Sequence, residues 1–122
     1  MKMYNTSIRV SEEVRVKLEE YRIKKELHKK KMKLSQVVGE IVAKWLENPT
    51  ELREYIDAEK QSKVIRDDNI TISLDYKDKA KLYKLFGEKY IDKVKSLNLL
   101  LYIILVKFLN ENFEDFDIKK VL

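Results

Sequence analysis

The most constraining stretch of the chain is Asn5-Thr6-Ser7-Ile8-Arg9-Val10-Ser11, because it returns as Asn69-Ile70-Thr71-Ile72-Ser73-Leu74-Asp75. Each copy alternates polar with apolar residues and then sets a Ser or an Asp before a charged, apolar-periodic run. Alternation with period two marks a strand with one buried face. A Ser or Asp in that place marks a helix start. The chain therefore specifies a short strand followed by a helix, twice. A lone strand leaves its backbone donors and acceptors unpaired, and the only other strand candidate is the second copy. The two are expected to pair as a two-stranded antiparallel ribbon. The polar side chains Asn5, Ser7 and Arg9, with Asn69, Thr71 and Ser73, would then share the face turned away from the core.

The pattern continues beyond the strands. In the first unit Ser11 is expected to cap a helix carrying Glu12 and Glu13 in its first turn, where acids complement the helix dipole. Val14, Leu18, Tyr21 and Leu27 form its apolar stripe. The basic segment Lys29–Lys33 reads as a loop, and Ser35 is expected to open a second helix. There Val37, Val38, Ile41, Val42, Trp45 and Leu46 give the wide apolar face of a deeply buried helix. In the second unit Ile72, Leu74, Leu82, Leu85 and Ile91 follow Ile8, Val10, Leu18, Tyr21 and Leu27 at a spacing of 64. After the inter-helix loop the spacing becomes 63, matching Ser35, Ile41, Trp45 and Leu46 to Asn98, Ile104, Phe108 and Leu109. A one-residue change confined to a loop is what a duplication leaves. Asp78 stands opposite Val14, and Gly87 is placed to cap the C-terminus of the helix before the loop.

The expected fold class is mainly α with a two-stranded antiparallel ribbon. Residues 1–46 form the first unit, 47–68 a connector, 69–110 the second unit and 111–122 a C-terminal tail, with both units in one domain. Asn48-Pro49 reads as a helix cap followed by proline at the first helical position, and Leu52, Tyr55 and Ile56 give the connector a short amphipathic stripe. Its length has a mechanical reason. A helix of about 13 residues ends roughly 20 Å from its start, so the chain must travel back to lay the second strand beside the first. The tail keeps Phe113, Phe116, Ile118, Val121 and Leu122, which serve either as core cover or as a self-association surface.

Charge is distributed unevenly along these segments. Residues 1–46 carry 12 Lys/Arg against 6 Asp/Glu, the connector 4 against 7, and residues 69–122 carry 10 against 8. Two basic units around an acidic connector suit a basic surface that faces a polyanion, although Lys29-Lys30-Lys31 taken alone reads as a solvated helix face. With no Cys, one His, two Gly and one Pro, the chain has no disulfide framework and little material for metal or phosphate-loop chemistry. His28 beside the lysines reads as solvated, Glu12-Glu13 and Asp67-Asp68 have local reasons to be where they are, and no catalytic set can be assembled. The expectation is no enzyme, no metal and no cofactor. The apolar run Leu97–Val106 is far short of the ~20 residues that span a bilayer, and no secretory leader is evident. The reading is a cytoplasmic protein with no membrane partner.

A strand and two helices in about 45 residues, carried here by Asn5–Ser11, Val14, Leu18, Tyr21 and Leu34–Ile41, resembles the ribbon-helix-helix family of DNA-binding proteins (the MetJ/Arc/CopG type). Asn69–Asp75 and Leu97–Leu101 carry the same resemblance in the second unit, so the chain looks like a tandem, covalent pseudo-dimer. It is also similar to small transcription regulators of archaeal viruses and plasmids. The resemblance implies a transcription regulator, for instance a repressor, that reads duplex DNA through the ribbon. The base-reading residues carried over are Asn5, Ser7, Arg9, Asn69, Thr71 and Ser73. A phosphate clamp at the start of each second helix is carried over to Lys33, Ser35 and Gln36, and to Lys95, Ser96 and Asn98. The two ribbon strands differ, so the resemblance implies an imperfectly palindromic operator, with self-association of pseudo-dimers on DNA left open. The rival reading is an antitoxin or adaptor-type protein-interaction module on the same fold.

Overall fold

The computed structural model describes residues 3–122. It is mostly helical, with a two-stranded antiparallel sheet and five α-helices among the described residues. In chain order these are β1 (Met3–Val10), α1 (Glu12–Lys24), α2 (Leu34–Glu47), α3 (Arg53–Lys60), β2 (Asp68–Asp75), α4 (Tyr76–Leu85) and α5 (Leu97–Asn112). The two strands pair with each other and with no third strand. Ser7 lies opposite Thr71, Asn5 opposite Ser73 and Arg9 opposite Asn69.

The inner face of the ribbon enters the core through Ile8, Val10, Ile70, Ile72 and Leu74, all 5 % exposed or less. Both strand-to-helix junctions are capped as the sequence requires. Ser11 Oγ accepts from the Val14 amide at 3.3 Å, and Asp75 accepts from Lys77 and Asp78. A side-chain cap of this kind satisfies one of the orphan amides of the first turn and contributes about 1 kcal/mol.

Helix α5 is the centre of the fold. Every residue from Leu99 to Val106 is buried, which a helix tolerates only when neighbours surround it. It is flanked by α1, α2, α3, β1 and the turn after α4. The tail resolves in favour of core cover: Phe113, Phe116, Val121 and Leu122 are all buried. The Tyr102 hydroxyl donates to the Val121 carbonyl at 2.7 Å and lies 3.3 Å from Ser11 Oγ. One buried phenol thus ties the tail to the β1–α1 junction.

Several local expectations are corrected. Helix α2 begins at Leu34, with Lys33 as its N-cap residue, and α5 begins at Leu97 with Ser96 as its cap. Ser35 and Asn98 are therefore second residues of their helices rather than caps. Gln36 reaches back to accept from the Lys33 amide at 2.9 Å, which supplies the cap that lysine cannot. The connector helix starts at Arg53 rather than at Pro49; Trp45 Nε1 donates to Thr50 Oγ1 across the intervening bend. Gly87 does not cap α4. It sits inside a π-helical turn, Phe86–Tyr90, without a positive φ. That wider turn rotates the stripe by one position, so Tyr90 is buried while Ile91 is 59 % exposed. The basic segment after α1 contains one 3₁₀ turn, Leu27–Lys30, bounded by left-handed Glu26 and Lys31.

Two ion pairs clip distant segments together: Arg15 of α1 with Asp68 of β2, and Lys17 of α1 with Asp115 of the tail. In each case a hydrogen bond from the cation holds the carboxyl below the usual carboxylate range. A carboxylate with a lowered folded pKa contributes stability that is fully present above its unfolded value, here 3.8. That stability is lost as pH falls through the lowered folded value. Thermal melts across the acid range should therefore show Asp68→Asn/Asp115→Asn less stable than the parent at neutral pH and less sensitive to acid below about pH 4. Parallel pH profiles for the two proteins would remove these pairs from the stability account.

Candidate nucleic-acid interface

The register brings all six sequence-predicted reading residues onto one face. Asn5, Ser7, Arg9, Asn69 and Thr71 are exposed and Ser73 is half-buried. They stand as three directly opposed pairs, with successive pairs roughly 7 Å apart along the strands. The Ser73 hydroxyl donates to Asn5 Oδ1. This bond engages the Asn5 amide oxygen, and the two Asn5 N–H donors have no partner among the described residues. The strand sequence produces this face by a simple rule: alternate residues of a strand point to opposite sides, and the apolar set is claimed by the core.

The six proposed phosphate residues divide into two groups at helix starts. Lys95, Ser96 and Asn98 surround the first turn of α5, where Ser96 Oγ accepts from the Leu99 amide at 3.1 Å. Ser96 and Asn98 line an open cleft of about 360 Å³ together with Ser7, Arg9 and Asn69, so this helix start meets the ribbon face directly. Lys33, Ser35 and Gln36 occupy the first turn of α2. That helix lies against β2 so closely that a Cβ added to Gly39 would fall 1.7 Å from the Ser73 carbonyl oxygen. The α2 start, Leu34, therefore lies about 7.5 Å along the helix from the Gly39 contact.

The electrostatics of the face follow from where its acids are held. Asp68, at the end of β2, is committed to Arg15, and Asp75 is committed to capping α4. Among the described residues, Arg9, Lys33, Lys95 and Arg66 take part in no ion pair. The ribbon face thus presents one uncommitted cation, Arg9, while Asp68 and Asp75 are occupied and the exposed Asp67 joins no ion pair among the described residues.

At the other end of the ribbon Tyr4 stacks edge-on against Tyr83 at 6.5 Å, and Lys79 Nζ lies 4.3 Å from the Tyr4 ring centre. This cluster fastens β1 to α4 by cation–π attraction.

Three residues of this region were not foreseen from sequence. Gly39 reads as one small residue in a helix, Tyr102 as one more apolar position of α5, and Arg66 as one of four bases in an acidic connector. The signal for Arg66 is positional: it stands three residues before Asn69, as Lys2 stands three before Asn5. His28 is exposed and apart from this region. Among the described residues no three His, Asp or Glu side chains gather as metal ligands, and no helix is long and apolar enough to cross a membrane. Comparison with protein-family models, with curated proteins and with solved structures returns no match.

Proposed function

We propose that the chain is a sequence-specific, double-stranded DNA-binding regulator of the ribbon-helix-helix kind, whose two fused units form an intramolecular pseudo-dimer. The observation that carries this reading is a ribbon with one face in the core and six small or hydrogen-bonding polar side chains, among them an uncommitted arginine, on the other. A polar ribbon face with no structural partner is surplus to folding. It suits the major groove, which is about 12 Å wide and admits a two-stranded ribbon.

The register supports the duplication. Ser7 faces Thr71, so a two-fold axis relating positions 64 apart would pass through the middle of the repeated stretch, where the outward residues of both strands overlap completely. The implied two-fold axis carries Asn5 onto Asn69 and Arg9 onto Ser73. The reading head is therefore symmetric at its asparagines and asymmetric at its arginine. In the groove Arg9 grips guanine O6 and N7, Asn5 and Asn69 pair with adenine N6 and N7, and Ser7, Thr71 and Ser73 adapt to several edges. An imperfectly palindromic operator follows. Lys33, Ser35 and Gln36, and Lys95, Ser96 and Asn98, hold the flanking phosphates against the helix starts, where free amides and the dipole attract an anion. Ser96 Oγ is already an acceptor from Leu99, so toward a phosphate it acts as a donor.

Binding to random duplex DNA as salt is raised tests the reading. Affinity should fall with a log–log slope of about −0.9 for each phosphate neutralised. Negligible binding at low salt would overturn it and favour a protein-interaction module.

A further inference from the structure

We infer that Arg66, a connector residue outside both strand-and-helix units, grips a DNA phosphate beside Arg9 and makes that half of the interface the tighter one. The inference rests on the DNA-binding reading above and adds a connector residue to it.

The geometry around Arg66 has three parts. Its guanidinium carbon lies 5.1 Å from the centre of the Tyr102 ring. That ring is 1 % exposed and pinned by the bond to Val121, so the platform is rigid. Contact with a ring uses up none of the hydrogen-bond acceptors of other groups and leaves the five N–H donors of the guanidinium available to them. Among the described residues, Arg66 donates to no acceptor and joins no ion pair. The guanidinium has a rigid neighbour, and its donors are unspent among the described residues.

Arg66 lines the open cleft that also contains Arg9, Ser96 and Asn98. Two unpaired arginines and two small polar side chains around an open space select an anion with several oxygens in fork geometry, which is what a phosphodiester offers. The nearby carboxylate Asp68 does not compete, because Arg15 holds it. In the second strand the position equivalent to Arg9 is Ser73, and the α2 position 63 residues before Tyr102 is Gly39. That half has neither a ribbon arginine nor an aromatic platform at the equivalent places. The bland account of Arg66 is that it merely covers Tyr102, and the two accounts differ in what they predict.

The test compares the full chain with Arg66→Met, which keeps an apolar stem over Tyr102, and with Arg66→Lys, which keeps the charge. Binding to a random duplex and to any preferred duplex is measured over a salt series, alongside thermal unfolding. Arg66→Met should bind about tenfold more weakly on both duplexes. Its salt slope should be shallower by about 0.9, with its melting temperature close to that of the parent. Arg66→Lys should regain the slope. Parental affinity and slope in Arg66→Met would overturn the inference and leave Arg66 as cover for Tyr102, with the DNA-binding reading intact. Absence of salt-dependent binding by the unmutated chain would overturn both.

Discussion

Gly39→Ala should lower the melting temperature by about 8 °C, while the same replacement at Gly87 should leave it unchanged or raise it by a few degrees. The difference comes from what each new methyl group meets. At Gly39 it would fall 1.7 Å from the Ser73 carbonyl oxygen and 2.8 Å from its carbon. These are backbone atoms of a paired strand and have no side-chain freedom with which to yield, so α2 must retreat from the ribbon. Overpacking at such a site costs about 3 kcal/mol, the upper part of the usual range. Alanine returns about 1 kcal/mol through its better helix propensity. The net loss is about 2 kcal/mol, and in a chain of this size 1 kcal/mol moves the melting temperature by roughly 4 °C. At Gly87 the methyl meets nothing within 4 Å, and the backbone has no positive φ to strain. Circular dichroism melts of the two variants check both signs. A Gly39→Ala protein as stable as its parent would mean that α2 is not seated on β2 at this distance.

The second large effect is expected at the reading face. Arg9→Ala should weaken binding to a preferred duplex by about 1–3 kcal/mol and relax the preference at one base pair. It should do so with little change in stability, since Arg9 is exposed and makes no ion pair among the described residues. Competition titrations with duplexes altered one base pair at a time read both quantities. A loss of affinity that is uniform across all sequences would instead make Arg9 a phosphate contact.

The parts of this molecule that were legible in the sequence are those in which one local rule acts without competition. The ribbon could be read because alternation is unbroken at Asn69–Leu74 and interrupted only by Thr6 at Asn5–Val10, and each strand has only the other to pair with. Ser11 and Asp75 could be read because each directly precedes a helical run. The burial of α5 could be read because a run from Leu99 to Val106 without a charged residue has nowhere else to go. Where two residues compete for one role, local pattern chose wrongly. Ser35 is the better intrinsic cap, yet the helix starts at Leu34 because Gln36 can serve the Lys33 amide from inside the first turn. Asn48-Pro49 has the form of a helix start, but burial of Leu52 at the beginning of α3 delays it. Gly87 resembles a C-cap, but the helical path continues through it as a π turn, and Ile91 is displaced outward as a result. The close approach at Gly39 and the contact of Arg66 with the Tyr102 ring join residues 34 and 36 positions apart, and no local pattern encodes contacts of that kind.

Selection of bound duplexes from a random pool, run in parallel with the unmutated chain and with Arg9→Ala, tests the central claim most directly. The account predicts that the unmutated chain enriches two unequal half-sites in an imperfect inverted repeat, and that Arg9→Ala returns the same motif with one base pair in one half relaxed. An empty selection, or a motif that survives Arg9→Ala unaltered, would contradict the claim that the ribbon's outer face reads DNA.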